Sequence, residues 1–80
     1  MTYFLYMLLD THKKISYVGS TNNLNKRLEL HNSGKGAKFT RGRHWKIIYT
    51  EKYLTKNEAK SREYYIQKNR KFRNLIKKNK

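Results

Sequence analysis

Tyr17-Val18-Gly19-Ser20-Thr21-Asn22-Asn23-Leu24-Asn25-Lys26-Arg27-Leu28-Glu29-Leu30-His31 reads as the end of a strand, a short polar turn and the start of a helix. The helix is expected over 22–32, and either Asn22 or Asn23 can accept a hydrogen bond from an orphan N–H of its first turn. Gly19 permits a sharp turn or a close approach by another group. Leu24, Arg27, Leu28 and His31 follow at i, i+3, i+4 and i+7, which puts all four on one helix face. The two leucines belong to a core. The arginine and histidine beside them ask what that face is turned toward.

Upstream, residues 3–9 (Tyr-Phe-Leu-Tyr-Met-Leu-Leu) form a continuous apolar and aromatic run. A run of that length without polar alternation predicts a central strand covered on both faces. Alternation places Phe4, Tyr6 and Leu8 on one side, with Tyr3, Leu5, Met7 and Leu9 on the other. Asp10-Thr11-His12-Lys13-Lys14 is a polar hairpin loop in which His12 is a solvated residue. A second strand, Ile15 to Ser20, returns antiparallel.

Downstream lies Ser33-Gly34-Lys35-Gly36-Ala37-Lys38-Phe39-Thr40-Arg41-Gly42-Arg43-His44, a flexible cationic loop. It is not a nucleotide-hydrolase phosphate loop, because G-x-x-x-x-G-K-[ST] does not occur. The bland reading is a solvated connection. The favoured reading is a nucleic-acid-binding loop whose backbone N–H groups and Lys35, Lys38, Arg41 and Arg43 reach phosphates. Trp45 to Tyr53 is the third strand, centred on Ile47, Ile48 and Tyr49. Thr55-Lys56-Asn57-Glu58 fits a capping box that starts a helix over 56–69, with Ala59, Arg62, Glu63 and Ile66 on one face. Asn69-Arg70-Lys71 interrupts that pattern, and Phe72, Leu75 and Ile76 form a stripe on a last helix. The basic tail from Lys68 onward serves equally as a solvated face or as further nucleic-acid contact. The order β-β-α-β-α-α predicts an α+β fold, an α/β sandwich whose small three-stranded antiparallel sheet is flanked by helices. Residues 1–80 are expected to form a single domain, with no repeat or linker.

Eighty residues allow one modest core, helped by seven Tyr, three Phe and Trp45. No cysteine is present, so disulfides and thiolate metal sites are excluded. With no signal peptide and no membrane-length segment, a cytoplasmic monomer is expected. Twenty Lys and Arg against five Asp and Glu give a formal charge of +15. That excess attracts polyanions, and nucleic acid fits better than an anionic membrane, since no helix is broadly amphipathic with a Lys-rich face. Charge alone does not separate binding from cleavage.

Five polar residues fall on faces otherwise needed for the core: Tyr6, Tyr17, Arg27, His31 and Glu63. Each has a plain alternative. The tyrosines and the histidine can be packing residues, and Glu63 can pair with Arg62 or Arg27 instead of binding a metal. An Arg27–Glu29 pair is disfavoured, because i and i+2 do not face each other on a helix.

Taken together, these residues resemble the GIY-YIG (URI) nuclease domain. The second triplet of that family is similar to Tyr17-Val18-Gly19, and the first to a degenerate Phe4-Leu5-Tyr6, which keeps its tyrosine and loses its glycine. Arg27, His31 and Glu63 then follow in the family's order. The resemblance covers nearly all of the chain, and the Gly34-to-Arg43 loop is similar to that of small stand-alone members. It implies a divalent-metal-dependent DNA endonuclease of low sequence specificity, with DNA repair or recombination as its setting. Tyr6 would help activate water, Tyr17 would position the water or a phosphate oxygen, and Arg27 would hold the scissile phosphate. His31 would orient Tyr6, relay a proton or bond a phosphate oxygen. Glu63 would be the single protein ligand of Mg²⁺ (or Mn²⁺), with no small-molecule cofactor. Neither Asn69 nor Asn74 is assigned the role of the family's asparagine. The partner would be DNA, with RNA also open. The competing class is a non-catalytic basic nucleic-acid-binding module that retains the fold.

Overall fold

The computed structural model places the aromatic strand at the centre of the sheet. It describes residues 1–12 and 15–79, so the expected hairpin positions Lys13 and Lys14 lie outside the described residues. β1 (Tyr3–Asp10) runs between β2 (Ser16–Thr21) and β3 (Trp45–Tyr53), antiparallel to both, in the order β2-β1-β3. Three helices complete the α+β fold: α1 (Leu24–Asn32), α2 (Lys56–Gln67) and α3 (Arg70–Lys78).

Alternation along β1 divides the core in two. Leu5 and Met7 pack with Val18, Ile48, Ile66 and Ile76 beneath α2 and α3. Tyr6 and Leu8 pack with Trp45, Ile47, Leu24 and Leu28 beneath α1. Four consecutive residues, Leu5 to Leu8, are each at most 2 % exposed, which is why no polar alternation is visible in this strand. Pairing with β3 slips between Met7, opposite Tyr49, and Leu8, opposite Ile47. Ile48 is the extra residue, and the bulge lets it share a face with Tyr49 while Ile47 stays with Trp45.

The helix ends follow the expected chemistry with small shifts. Asn23, not Asn22, caps α1, its Oδ1 accepting from the Lys26 N–H at 3.1 Å. Thr55 caps α2, accepting from the Glu58 N–H at 3.2 Å and donating to the Glu58 carboxylate at 2.9 Å. That helix stops at Gln67, two residues short of the expected 69, because Asn69 turns to cap α3 through the Phe72 N–H at 3.0 Å. β2 begins one residue later than expected, at Ser16. Asp10 departs most from the reading of a polar loop residue. It closes β1 at 2 % exposure, accepting from the His12 N–H at 2.9 Å and from Arg43 at 3.0 Å. Asn32 ties the end of α1 to β3 by bonding both the N–H and the carbonyl of Trp45, at 2.6 and 3.1 Å.

The β1–β2 register sets Tyr6 directly opposite Gly19. A Cβ at position 19 would lie 2.5 Å from the Tyr6 hydroxyl and 2.7 Å from its ring carbon Cζ. The ring has no room to yield, since Tyr6 is itself buried. Gly19→Ala is therefore expected to destabilise the fold by about 1–3 kcal/mol through overpacking. Urea unfolding measures this, and an unchanged midpoint would mean that the ring moves aside freely.

Candidate active site

Tyr6 projects from the central strand toward α1, where its hydroxyl meets His31 Nε2 at 2.8 Å. His31 is fully buried, and its other nitrogen, Nδ1, lies 2.8 Å from Thr40 Oγ1. The direction of these bonds follows from Thr40. Its hydroxyl proton goes to the Ala37 carbonyl at 2.9 Å, so Oγ1 must accept from His31. Nδ1 therefore carries the imidazole proton, and the bare Nε2 accepts from the Tyr6 hydroxyl. Burial, reinforced by the Arg27 charge, lowers the His31 pKa to about 4, consistent with a neutral ring. Burial likewise pushes Tyr6 up to about 12, against the pull of a hydrogen bond from Arg27 and with smaller upward effects from Tyr17 and Glu63.

The histidine is held from above by the loop after α1. A Cβ on Gly36 would fall 2.4 Å from His31 Nδ1 and 2.9 Å from its Cα, so the loop rests on the imidazole only because position 36 has no side chain. Thr40 is fully buried, and its carbonyl accepts from the Trp45 indole N–H at 3.0 Å. Part of the backbone expected to offer its amides to phosphate is thus committed within the chain. The N–H groups of Lys35, Ala37, Thr40 and Arg41 bond to Leu30, Thr40 Oγ1, Ala37 and Lys38 within the chain. Gly34 and Gly42, at φ of +83° and +75°, supply the left-handed turns.

Tyr17 flanks the same histidine, ring centroids 5.0 Å apart. Its pKa is raised by burial and then by the Glu63 charge, with Arg27 opposing. Glu63 reaches this end of the sheet from α2. Oε1 accepts from the Ser20 hydroxyl at 2.7 Å and lies 3.7 Å from Lys60 Nζ, while Oε2 accepts from the Gln67 amide at 3.1 Å. The same amide bonds the Val18 carbonyl at 3.0 Å. Arg62, one of the two expected plain partners of Glu63, turns instead to Glu51 through two bonds of 2.9 and 3.2 Å. Burial raises the Glu51 carboxyl, but Arg62, Tyr49 and Tyr53 together hold it below the usual range. Among the described residues no group of three or more His, Cys, Asp or Glu is placed to hold a metal ion.

The structure thus joins Tyr6 and His31 by a direct bond, with Tyr17 in ring contact and Arg27 and Glu63 near enough to act on both phenols. Lys35, Lys38 and Arg41 are carried on the loop, all three exposed. Arg43 is not equivalent to them, being half-buried and bonded to Asp10. Sequence reasoning missed Thr40, Ser20 and Gln67. A histidine assigned an oriented role needs a partner for its second nitrogen, and the hydroxyl in the glycine-rich loop was the signal for Thr40. Gln67 stands four residues after Glu63, on the same helix face.

The model of the GIY-YIG catalytic domain matches residues 2–78. A UPF0213 protein of Oceanobacillus iheyensis is 40% identical over 74 residues, covering 91% of this chain and 85% of that protein. A UPF0213 protein of Clostridium perfringens is 58% identical over 53 residues, 65% of this chain and 57% of its relative, so that alignment spans little more than half of the curated protein. Among solved structures, the solution NMR structure of a UPF0213 protein from Bacillus halodurans superposes with a TM-score of 0.58 at 32% identity, covering 100% of this chain and 86% of that one. No helix among the described residues is long and apolar enough to cross a membrane. The chain belongs to the GIY-YIG catalytic-domain family, a nuclease family acting on nucleic acid, and its relatives here are UPF0213 proteins.

Proposed function

We propose that this chain hydrolyses DNA phosphodiester bonds with the aid of one divalent cation. The observation that carries the reading is the relay Tyr6–His31–Thr40, in which a bare imidazole nitrogen faces a phenol proton. A phenol with a pKa near 12 holds almost no phenolate at neutral pH, so Tyr6 does not act as a preformed base. It passes its proton to His31 Nε2 as it takes one from the attacking water, and full phenolate charge never develops. The negative charge of a bound phosphate raises the basicity of His31 at the moment it is needed.

Arg27, close enough to Tyr6 to act on its phenol, presents its donors to the phosphoryl oxygens, where charge grows as the water attacks. Tyr17 lines the approach beside the histidine and positions the water or a phosphate oxygen. The half-buried Glu63 carboxylate, flanked by the Ser20 hydroxyl, is a hard-oxygen donor set that suits Mg²⁺ or Mn²⁺ with most of its waters retained, and it is too small for a full protein cage. When bound, that ion supplies Lewis-acid stabilisation of the phosphate and of the leaving oxygen. Affinity rests on phosphate contacts from Lys35, Lys38 and Arg41, which implies low sequence specificity.

Three outcomes test this reading. Tyr6→Phe and Glu63→Gln should each lower Mg²⁺-dependent cleavage of a mixed DNA panel by roughly 10²-fold or more while low-salt binding persists. Cleavage unchanged by both would remove these residues from the chemistry. Replacing Lys35, Lys38 and Arg41 by Ala should reduce the slope of log affinity against log salt by about 0.9 for each phosphate no longer neutralised, whereas Arg43→Ala should lower the urea midpoint and leave the slope in place. An unchanged slope in the triple variant would return the loop to a solvated connection. Acid stability tests the buried histidine. With its pKa near 4 against an ordinary 6.5, the unfolded chain takes up the proton first, so His31 contributes its full stability above pH 6.5 and loses it as pH falls toward 4. Unfolding free energy should drop by about 1 kcal/mol between pH 6 and pH 5, above the range of the carboxylates. A flat profile there would place the imidazole in contact with solvent.

A further inference from the structure

Beside the site, β2, the tip of the glycine-rich loop and α3 enclose an open groove of about 440 Å³, lined by Tyr17, Phe39, Gln67, Arg70, Arg73 and Lys77 among others. Of these residues the proposed chemistry uses only Tyr17. Phe39 is 53% exposed, an aromatic ring displayed on a loop that is otherwise small or cationic. It lies against Tyr17 with centroids 6.1 Å apart and planes 23° from parallel, and Tyr17 in turn lies against His31 at 5.0 Å. A ladder of rings therefore runs outward from the buried relay, and its last member borders the groove. Opposite stands the cationic start of α3. Arg73 anchors that wall by donating to the Ile66 carbonyl at 2.9 Å and to the Gln67 carbonyl, and Arg70 is exposed.

An aromatic platform facing a cationic wall is the arrangement that holds single-stranded nucleic acid, because every base offers a π-face and every nucleotide a phosphate. A duplex cannot use it, since its bases are already stacked on one another and show only their edges. We infer that the groove receives an unpaired nucleotide of the bound strand, its base against Phe39 and its phosphate toward Arg70, so that the preferred substrates are single strands and single-strand branches next to the site. The inference rests on the reading of the neighbouring site as one that acts on nucleic acid, and it extends that reading to a substrate class.

Binding in the absence of divalent cations tests the groove without requiring cleavage. Fluorescence anisotropy with an oligothymidylate and a blunt duplex of equal length should show Phe39→Leu weakening the single strand by about 5- to 150-fold, with duplex affinity changed less than about twofold. Leu keeps the apolar contact with Tyr17 and removes the π-face, and Phe39→Trp should restore single-strand affinity. Equal weakening of both ligands, no weakening of either, or failure of Trp to restore binding would each overturn the inference. Phe39-dependent binding together with absent cleavage would retire the hydrolytic reading alone, and cleavage that ignores Phe39 would retire the groove alone.

Discussion

The hydrogen bond between Tyr6 and His31 joins the centre of the sheet to the helix packed over it, and much of the surrounding sequence exists to make room for it. Gly19 leaves space for the phenol and Gly36 for the imidazole. Thr40 accepts the imidazole proton, and Trp45 fixes Thr40 through its carbonyl. A buried polar pair is tolerable only when each of its atoms is satisfied. Here no buried side-chain polar atom among the described residues lacks a partner. The loop that looked like a cationic arm is therefore first a lid on His31. Its lysines reach outward because its backbone amides are bonded inward.

The sparse acids divide by the company they keep. Two half-buried or buried carboxylates meet guanidinium groups, Asp10 with Arg43 and Glu51 with Arg62. Arg62 also lies over the rings of Tyr65 and Phe72, at 5.0 and 5.2 Å, contacts that commit it away from Glu63. Glu63 is left with a hydroxyl, an amide and a lysine at 3.7 Å, none of which neutralises it as a bidentate arginine would. In a chain of charge +15, Glu63 is thus a half-buried acid whose ion pair is with a lysine and not an arginine. This distinction between Glu63 and Glu51 separates a group able to meet a cation from one that locks a helix to a strand.

How much of this was legible depended on how local each signal was. The central strand, the antiparallel hairpin, the Thr55 cap and the helix face carrying Arg27 and His31 all follow from patterns a few residues long, and the structure bears them out. The site residues could be gathered because their faces are set by those same periods. What stayed hidden was non-local. Asp10 reads as a loop residue until Arg43, thirty-three positions away, is folded against it. Ser20 meets Glu63 across forty-three positions, and Arg62 finds Glu51 across a helix–strand packing that no spacing encodes. The slip of β3 at Ile48 is likewise a consequence of pairing, because an uninterrupted alternation would have set Ile48 and Tyr49 on opposite faces.

The perturbed groups also constrain the chemistry more tightly than residue identity does. A phenol near pKa 12 beside an imidazole near 4 is, at rest, a poor acid beside a poor base. Both shifts arise chiefly from burial, so both groups at rest are neutral, and the fixed charges that act on them are those of Arg27 and Glu63. Such a pair is stable to fold and idle in water. On the proposed reading the pair becomes competent when an anionic strand enters, because a phosphate favours the imidazolium and takes up the positive field of Arg27. Activation by the substrate's own charge would then be the consequence of burying the relay, and it would tie the stability of the sheet to the restraint of the site.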